Sequence, residues 1–343
     1  FGTYTGNGST NGPIVNTGFE PAFVIIKRTD SSDNWSMTDN KRSSSNPRAN
    51  ALFPNLTQSE LTSGYTVDYL SNGFQIKSTD NAMNANGGTY LYIAFGSDAS
   101  AAPALADSFA NKLWTGNGSS QSITGLGFSP SLVWGKERSN TSGNELLDTL
   151  RGATNYLTSN SSGAQGTSGQ GLQSFDSDGF TVGNDGAWNQ NGETYVGWNW
   201  KANPIPAINN DGDIQSIVSA NQAAGFSIVT YTGTSTVGAT IGHGLSAAPD
   251  AVIIKCMNTG STNWINYYET IGVNDYLTLN LNNALDTFSN WFTSSATTFT
   301  FGAVFGNTNT TGRTYVAYCF KSIAGFSKMG SYSGTGSAGN AQD

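Results

Sequence analysis

Short apolar runs alternate with turn-forming residues along the whole chain. The runs are rich in β-branched and aromatic residues, and each is bounded by Gly, Asn, Ser or Asp. The clearest of them are residues 23–27, 90–95, 132–134, 195–200, 251–255 and 314–320. Runs of this length and composition predict β-strands, and turn signals such as those at residues 71–73 and 177–179 predict the connections. The pattern predicts an all-β protein.

A four-fold recurrence of one short motif divides the chain. An aromatic residue is followed by a hydroxyl residue and glycine at Tyr4-Thr-Gly6, Trp114-Thr-Gly116, Tyr231-Thr-Gly233 and Tyr332-Ser-Gly334. Each of the first three copies precedes an apolar run introduced by Pro21, Pro130 or Pro249, and these prolines are 109 and 119 residues apart. That spacing is too long for a solenoid repeat and fits copies of a whole domain.

The repeats define a domain organisation. We expect tandem antiparallel β-sandwich domains, jelly-roll-like, joined by short linkers into an extended rod. Repeat 1 covers residues 1–98, a linker covers 99–108, repeat 2 covers 109–202, a connector covers 203–224 and repeat 3 covers 225–322. Residues 323–343 are interpreted either as the start of a fourth repeat or as a strand donated to a neighbouring subunit.

Composition excludes several classes of protein. The chain has 343 residues, of which only 11% are charged, and a net charge of −8. An acidic chain is a poor binder of nucleic acid phosphates, and no apolar run is long enough for membrane insertion. Aromatic residues make up 12% of the chain, which argues for packed cores rather than disorder. Cys256 and Cys319 fit two free buried thiols better than a disulfide.

Two Asp-x-x-Arg pairs occupy matching places in the first two repeats. Asp39 with Arg42, and Asp148 with Arg151, each follow an apolar or aromatic run. They fit either a polar ligand site or structural ion pairs. We favour structural ion pairs, because a recurring ligand site would also be expected in the third repeat, where the pair is absent.

Aromatic residues in loops are candidates for stacking on sugar rings. Trp114, Trp188 and Trp291 are the candidates for such a glycan contact. Burial in the core is the alternative, and it is the one we favour.

Catalytic, metal and cofactor sites are not expected. The single histidine, His243, has no second histidine or nearby cysteine, and residues 209–213 resemble a calcium loop without its distal glutamate. Glutamates fall in the repeats without a shared pattern, so paired-carboxylate glycosidase chemistry stays an alternative. Lys27, Lys136 and Lys255 end equivalent strands, where we expect each stem to pack on apolar surface and each charge to mark the strand's exit from the core.

Longer motifs resemble a known group of proteins. Residues 218–233 (VSANQAAGFSIVTYTG) with 242–245 and 249–255 resemble repeats in virion structural and tail-fibre proteins of marine bacteriophages, including cyanophages. Residues 147–154, and residues 174–182 with 198–202, resemble sister repeats, as do residues 35–39 with Arg42 and residues 55–56. The resemblance implies a component of the phage particle and covers nearly the whole chain.

That resemblance sets the functional expectation. It implies a non-enzymatic tail fibre or other surface appendage at the virion surface, extracellular and involved in host attachment. Expected partners are copies of the chain in a homo-oligomer such as a trimer, other virion proteins and a host-surface glycan. The alternatives are a capsid decoration or head-fibre protein, a polysaccharide depolymerase, and a cellular secreted filament or adhesin.

Overall fold

Antiparallel strands account for most of the regular secondary structure in the computed structural model, which describes residues 6–96, 107–303, 306–333 and 341–342. Each apolar run identified from the sequence lies in a strand, so the all-β prediction is confirmed. Helix within the described residues is limited to three segments of three or four residues. Part of the expected linker at 99–108 and the motif at Tyr4 lie outside the described residues.

The elements of the N-terminal third form the first of three similar units. They are the strands Ile14–Asn16 (β1), Phe23–Arg28 (β2), Ser36–Asp39 (β3), Val67–Leu70 (β4), Gly73–Ile76 (β5) and Thr89–Phe95 (β6), with a helix at Asn81–Asn84 (α1) between the last two.

The second unit repeats this order. Its strands are Phe109–Thr115 (β7), Gln121–Thr124 (β8), Leu132–Glu137 (β9), Asn144–Asp148 (β10), Asn155–Thr158 (β11), Gly166–Thr167 (β12), Leu172–Asp176 (β13), Gly179–Val182 (β14) and Thr194–Trp200 (β15), with a helix at Gly186–Asn189 (α2).

The third unit begins with a hairpin that forms the expected connector. Its strands are Ala207–Asn209 (β16), Ser216–Asn221 (β17), Phe226–Thr232 (β18), Ala239–Gly242 (β19), Ala251–Cys256 (β20), Ile265–Tyr268 (β21), Asp275–Thr278 (β22), Asp286–Thr287 (β23), Thr293–Ser294 (β24), Thr298–Phe301 (β25) and Thr314–Phe320 (β26), with a 3₁₀ turn at Glu269–Ile271. The last two strands of the chain are Ser327–Ser333 (β27) and Ala341–Gln342 (β28).

Each unit is a pair of sheets. The large sheets have the strand orders β27-β6-β2-β3, β12-β11-β10-β9-β15-β7 and β16-β17-β18-β26-β20-β21-β22-β23. The second sheets, called the small sheets although that of the first unit also has four strands, have the orders β28-β1-β5-β4, β13-β14-β8 and β19-β25-β24. Apolar residues between the two sheets of each unit form a core that belongs to that unit alone. The antiparallel sandwich prediction is therefore confirmed for each unit.

The C-terminal segment returns to the first unit. β27 pairs with β6 over seven residues, from Ser327 opposite Phe95 to Ser333 opposite Thr89. β7 and β18 pair in the same way with β15 and β26, the closing strands of the second and third units. β28 adds a short parallel pairing with β1. The first unit is thus completed by a strand from the far end of the same chain.

A fourth core joins the three units, and this corrects the expectation of an extended rod. This shared core contains buried residues from the large sheets of all three units. The ring centroid of Phe95 in the first unit lies 5.1 Å from that of Phe109 in the second and 5.8 Å from that of Phe320 in the third. Units that share a core are not independent domains joined by flexible linkers.

Equivalent backbone hydrogen bonds connect the units in cyclic order. In each case a loop amide of one unit donates to a carbonyl of the next unit. The acceptor residue directly follows the central strand of that unit's large sheet, which is β2, β9 or β20. The bonds are Glu60 N to Arg138 O (2.8 Å), Gln165 N to Met257 O (2.8 Å) and Leu285 N to Thr29 O (2.9 Å). The three junctions, first (units 1 and 2), second (2 and 3) and third (3 and 1), therefore close a ring.

Unfolding should report this shared core. We expect urea to unfold the chain in one cooperative transition. Trp200→Ala should lower the free energy of unfolding by about 3–5 kcal/mol, because Trp200 is buried among rings of all three units. Hydrogen exchange followed by mass spectrometry should show that the Trp200→Ala variant loses protection in every unit, compared with the unchanged chain. Separate transitions, with the variant affecting the second unit alone, would restore the rod interpretation.

Candidate functional site

The first Asp-x-x-Arg pair lies at the first junction. Arg42 Nε is 2.5 Å from Asp39 Oδ2, and both side chains are fully buried. Asp39 Oδ1 also accepts the backbone N–H of Arg42, so the spacing of three follows from a turn that one carboxylate closes. Trp198 of the second unit donates its indole N–H to Asp39 Oδ2 at 3.2 Å, and its ring lies 5.6 Å from the Arg42 guanidinium.

The second pair lies at the second junction in the same geometry. Arg151 Nε is 2.6 Å from Asp148 Oδ2. Tyr318 of the third unit donates its hydroxyl proton to the same oxygen at 2.8 Å and accepts from Arg151 Nη2 at 3.2 Å. Both pairs are therefore structural ion pairs, each fixed by an aromatic residue of the following unit.

The third junction explains why the third repeat lacks this pair. Strand register places Tyr268 where Asp39 and Asp148 stand. The position of Trp198 and Tyr318 is taken by Ile93 on β6. Tyr268 and Ile93 are both buried in the shared core. The polar residues are replaced on both sides at once, so this junction has no ion pair at these positions.

Glu60 adds a second ion pair outside the first. Its carboxylate accepts from Arg42 Nη1 at 3.1 Å and from Arg138 Nη2 at 2.8 Å and Nε at 3.0 Å. Burial acts to raise the pKa of Glu60, but the hydrogen bond from Arg138 and the charge of Arg42 outweigh it, so the pKa is lowered. One carboxylate thus ties the two units together.

At the second junction this outer ion pair is missing. Gln165 stands in the place of Glu60, with its Oε1 3.4 Å from Arg151 Nη1, and Met257 replaces Arg138. A cavity of about 410 Å³ lies here, lined by Arg151, Gln165, Met257 and their neighbours. The arrangement accommodates a carboxylate sterically, as the first junction demonstrates.

The tryptophans considered as candidates for glycan stacking are buried, as the favoured alternative predicted. Trp114 is 8% exposed, Trp188 1% and Trp291 0%. The ring of Trp188 lies against Gly135, where an added Cβ would come within 2.3 Å of it. Its indole N–H donates to Glu145 Oε2 at 2.5 Å. These rings pack inside the sandwiches and present no face to a sugar.

Glu145 is a partly buried carboxyl group that the sequence did not single out. Burial raises its pKa to about 7, and the nearby Asp185 adds to the rise, while the hydrogen bond from Trp188 opposes it. Nothing in its sequence context distinguishes it from the other glutamates, because the burial comes from Trp188 in a distant segment. Its raised pKa makes it the carboxyl group of the second unit at which to test depolymerase chemistry first.

The three equivalent lysines also differ from expectation. Their ammonium groups are buried and donate to backbone carbonyls instead of leaving the core: Lys27 to Asp33 O (2.7 Å), Lys136 to Glu137 O (2.5 Å) and Lys255 to Thr262 O (2.7 Å). Burial lowers the pKa of each to about 8. Each lysine satisfies loop carbonyls that would otherwise lack donors.

Three buried asparagines also hydrogen-bond to the backbone of loops, and sequence reasoning missed them. The side-chain oxygen of each accepts a backbone N–H from the residue that directly follows the glycine of the repeated motif. These bonds are Asn7 N to Asn84 (2.8 Å), Asn117 N to Asn189 (2.9 Å) and Thr234 N to Asn309 (2.9 Å). In a chain rich in asparagine, only their matched spacing from the closing strands could have identified them.

His243 and the acidic loop before it belong to the third unit's framework. His243 is fully buried, where its Nδ1 accepts the Leu245 N–H at 3.1 Å and its Nε2 lies 3.2 Å from Ser295 O. Within the described ranges, no group of three His, Cys, Asp or Glu side chains is placed to hold a metal ion. Cys256 and Cys319 are buried free thiols, as expected.

A surface groove accompanies the connector hairpin. It has a volume of about 920 Å³ and is lined by side chains of β16, β17 and their neighbouring loops. Ile205 and Ile208 are 74% and 65% exposed at its wall, and the amides of Asn203, Asn209 and Gln222 also line it. Apolar and amide groups therefore coexist on this surface.

The two junctions predict opposite effects of exchanging Glu and Gln. Gln165→Glu should raise the free energy of unfolding by about 1 kcal/mol, because it gives Arg151 the carboxylate that Arg42 has in Glu60. Glu60→Gln should lower it by about 1–3 kcal/mol. Urea unfolding at neutral pH measures both. Gln215→Glu, at an exposed position, is the control for added charge alone; an equal gain in the control would contradict the assignment.

The buried lysines predict a pH dependence of stability. Their folded pKa values of about 8 lie below the ordinary value of 10.5, so the unfolded chain binds more protons between these values. The free energy of unfolding should rise with pH from about pH 8 to about pH 10. Urea midpoints across this window should show it.

The matching variants separate the lysine effect from other titrations. Lys255→Met should flatten the rise, and Lys41→Met, at an exposed site, should leave it unchanged. Buried tyrosines such as Tyr268, whose pKa is raised by burial, act in the opposite direction only above about pH 10. An identical slope in the Lys255 variant would contradict the burial of its charge.

The comparisons with known proteins give one family. The profile of a domain of unknown function, DUF7483, matches residues 1–98 and 104–341. Neither the curated proteins nor the solved structures contain a match. None of the helices in the described part of the chain has the length and apolar character needed to cross a membrane. With nearly all of its length matched, the chain belongs to the DUF7483 family.

Proposed function

We propose that this chain is a non-enzymatic structural component of a bacteriophage particle, as a module of a tail fibre or other surface appendage that takes part in host attachment. Its location is the virion surface. Its partners are other virion proteins, further copies of the chain and a host-surface glycan. The groove beside the connector, and not the buried tryptophans, is the surface that this proposal assigns to the glycan.

The ring closure is the observation that carries the proposal. The two buried ion pairs with their aromatic partners, the ammonium groups of Lys27 and Lys255, and the side chains of the shared core hold the units together. The loops outside this framework are rich in Gly, Asn, Ser and Thr and are free to vary in sequence. A rigid body with variable loops suits a part that must withstand the extracellular environment and present a surface.

The distribution of basic residues supports the same role. Six of the lysines and arginines are buried, namely Lys27, Arg42, Arg48, Lys136, Arg151 and Lys255. Few basic side chains remain accessible to trypsin-like proteases, which cleave after exposed, locally unfolded Lys and Arg. The assignment to a phage particle rests on the resemblance of residues 218–233 and 249–255 to repeats in marine phage virion proteins.

Localisation in the source particle tests the proposal. Antibodies raised against the folded chain and coupled to gold should label the tail or an appendage of intact particles in electron micrographs. Purified chain incubated with host polysaccharide should release no reducing ends.

Each other result selects an alternative. Labelling of heads at lattice positions would replace the proposal with a capsid decoration or head-fibre protein. Labelling of cells without particles would indicate a secreted filament or adhesin. Release of reducing ends that Glu145→Gln abolishes would indicate a depolymerase; Glu193→Gln, at a residue outside the core, is the matched control.

A further inference from the structure

The repeated motif occurs once more in the sequence than the described residues have closing strands to pair with it. The motif of aromatic residue, hydroxyl residue and glycine occurs four times, at Tyr4, Trp114, Tyr231 and Tyr332. In the second and third units this motif ends the strand that pairs with the closing strand. Three closing strands, β6, β15 and β26, offer three such places.

The place on β6 is filled by a strand that is not continuous with its unit. In the second unit, Thr115 ends β7 and is followed at once by Gly116, which exchanges backbone hydrogen bonds with the loop before β15. Gly6 makes the equivalent bonds in the first unit, with Gly88 O at 3.1 Å and Gly87 N at 2.7 Å. The strand beside it, however, ends at Ser333 and belongs to the other end of the chain.

The pairing is specified by features that any copy of the chain carries. The ladder between β27 and β6 is a regular seven-residue antiparallel pairing. Phe326 and Met329 bring apolar side chains into the shared core. A second copy offers the same backbone and the same two anchors, and so fits this place as well as the chain's own segment does.

A short hinge leads into the exchangeable strand. Residues 321–326 connect β26 to β27, with Ser322 N donating to Asp250 Oδ2 at 2.7 Å and Ile323 N donating to Ser327 O at 2.9 Å. Gly325 has a φ of +75°, a conformation that other residues adopt at a cost. Straightening this turn would carry β27 away from its own first unit.

We propose that β6 of one copy accepts residues 327–333 of a second copy, so that the chains are linked by exchange of this strand. In the closed ring, residues 327–333 pair with β6 of their own chain. In the linked form, the same ladder forms between two chains. Because donor and acceptor are different surfaces, the contact is heterologous and can extend from copy to copy. The inference goes beyond the proposed function, since it requires only copies of this chain.

Single-cysteine variants detect the exchange directly. Thr89 and Ser333 are register partners at the end of the ladder. A mixture of Thr89→Cys and Ser333→Cys full-length chains, incubated at high concentration and then oxidised, should yield a disulfide-linked heterodimer, identified by mass. Thr115→Cys with Thr194→Cys is the matched control, because this equivalent pair lies in the second unit, where the strand is continuous with its glycine.

A hinge variant supplies an independent measurement. Gly325→Val should favour the straightened hinge and raise the dimer fraction severalfold in size-exclusion chromatography with light scattering. Gly238→Val is the control, because Gly238 also has a positive φ, of +80°, with no atom within 4 Å of an added Cβ, but lies outside the hinge.

The outcomes decide the proposal. A heterodimer specific to the Thr89 and Ser333 variants, or dimers specific to the Gly325 variant, supports strand exchange. Equal crosslinking in the control pair together with a Gly325 variant as monomeric as the Gly238 variant overturns it, and so does the absence of crosslinked and hinge-variant dimers alike.

Discussion

The structure depends on covering the second face of each large sheet. The central strands β2, β9 and β20 are buried along almost their whole length, although the small sheet of each unit covers only one face. An antiparallel sheet often leaves one face in water, with polar residues on it. Here that face is apolar, and the three faces cover one another in the shared core. The ring is the arrangement that satisfies all three sheets at once.

Ring closure also explains where the buried charges lie. Asp39 and Asp148 stand at the edges of the shared core, where each faces the closing strand of the next unit. A buried ion pair contributes little stability by itself, because desolvation opposes the attraction. Each pair nevertheless matches an aromatic hydrogen-bond donor of the following unit, and the third junction, which has no Asp-Arg pair at this position, differs from the other two.

Local patterns in the sequence predicted the strands but not what covers them. Residues 23–27 and 251–255 were identified because β-branched runs bounded by turns form strands in any surroundings. Trp200 and Trp114 have similar contexts, yet the first belongs to the shared core and the second to the core of one unit. Burial of Lys27 depends on a loop from the third unit, whose Asn282 carbonyl it contacts at 3.3 Å. Such long-range partners leave no local pattern.

The repeated sequence is compatible with both a closed ring and a linked array, because the two differ in only one connection. In either form the edge of β6 is covered, since an uncovered edge would expose backbone donors and acceptors and the apolar rings beside them. The ladder energy is therefore nearly the same in the two forms. What separates them is the strain of the turn at residues 321–326, the local concentration of neighbouring copies and the entropy of joining chains. The second of these rises wherever copies are held side by side, so a chain that closes on itself has a physical route to linkage at high local concentration.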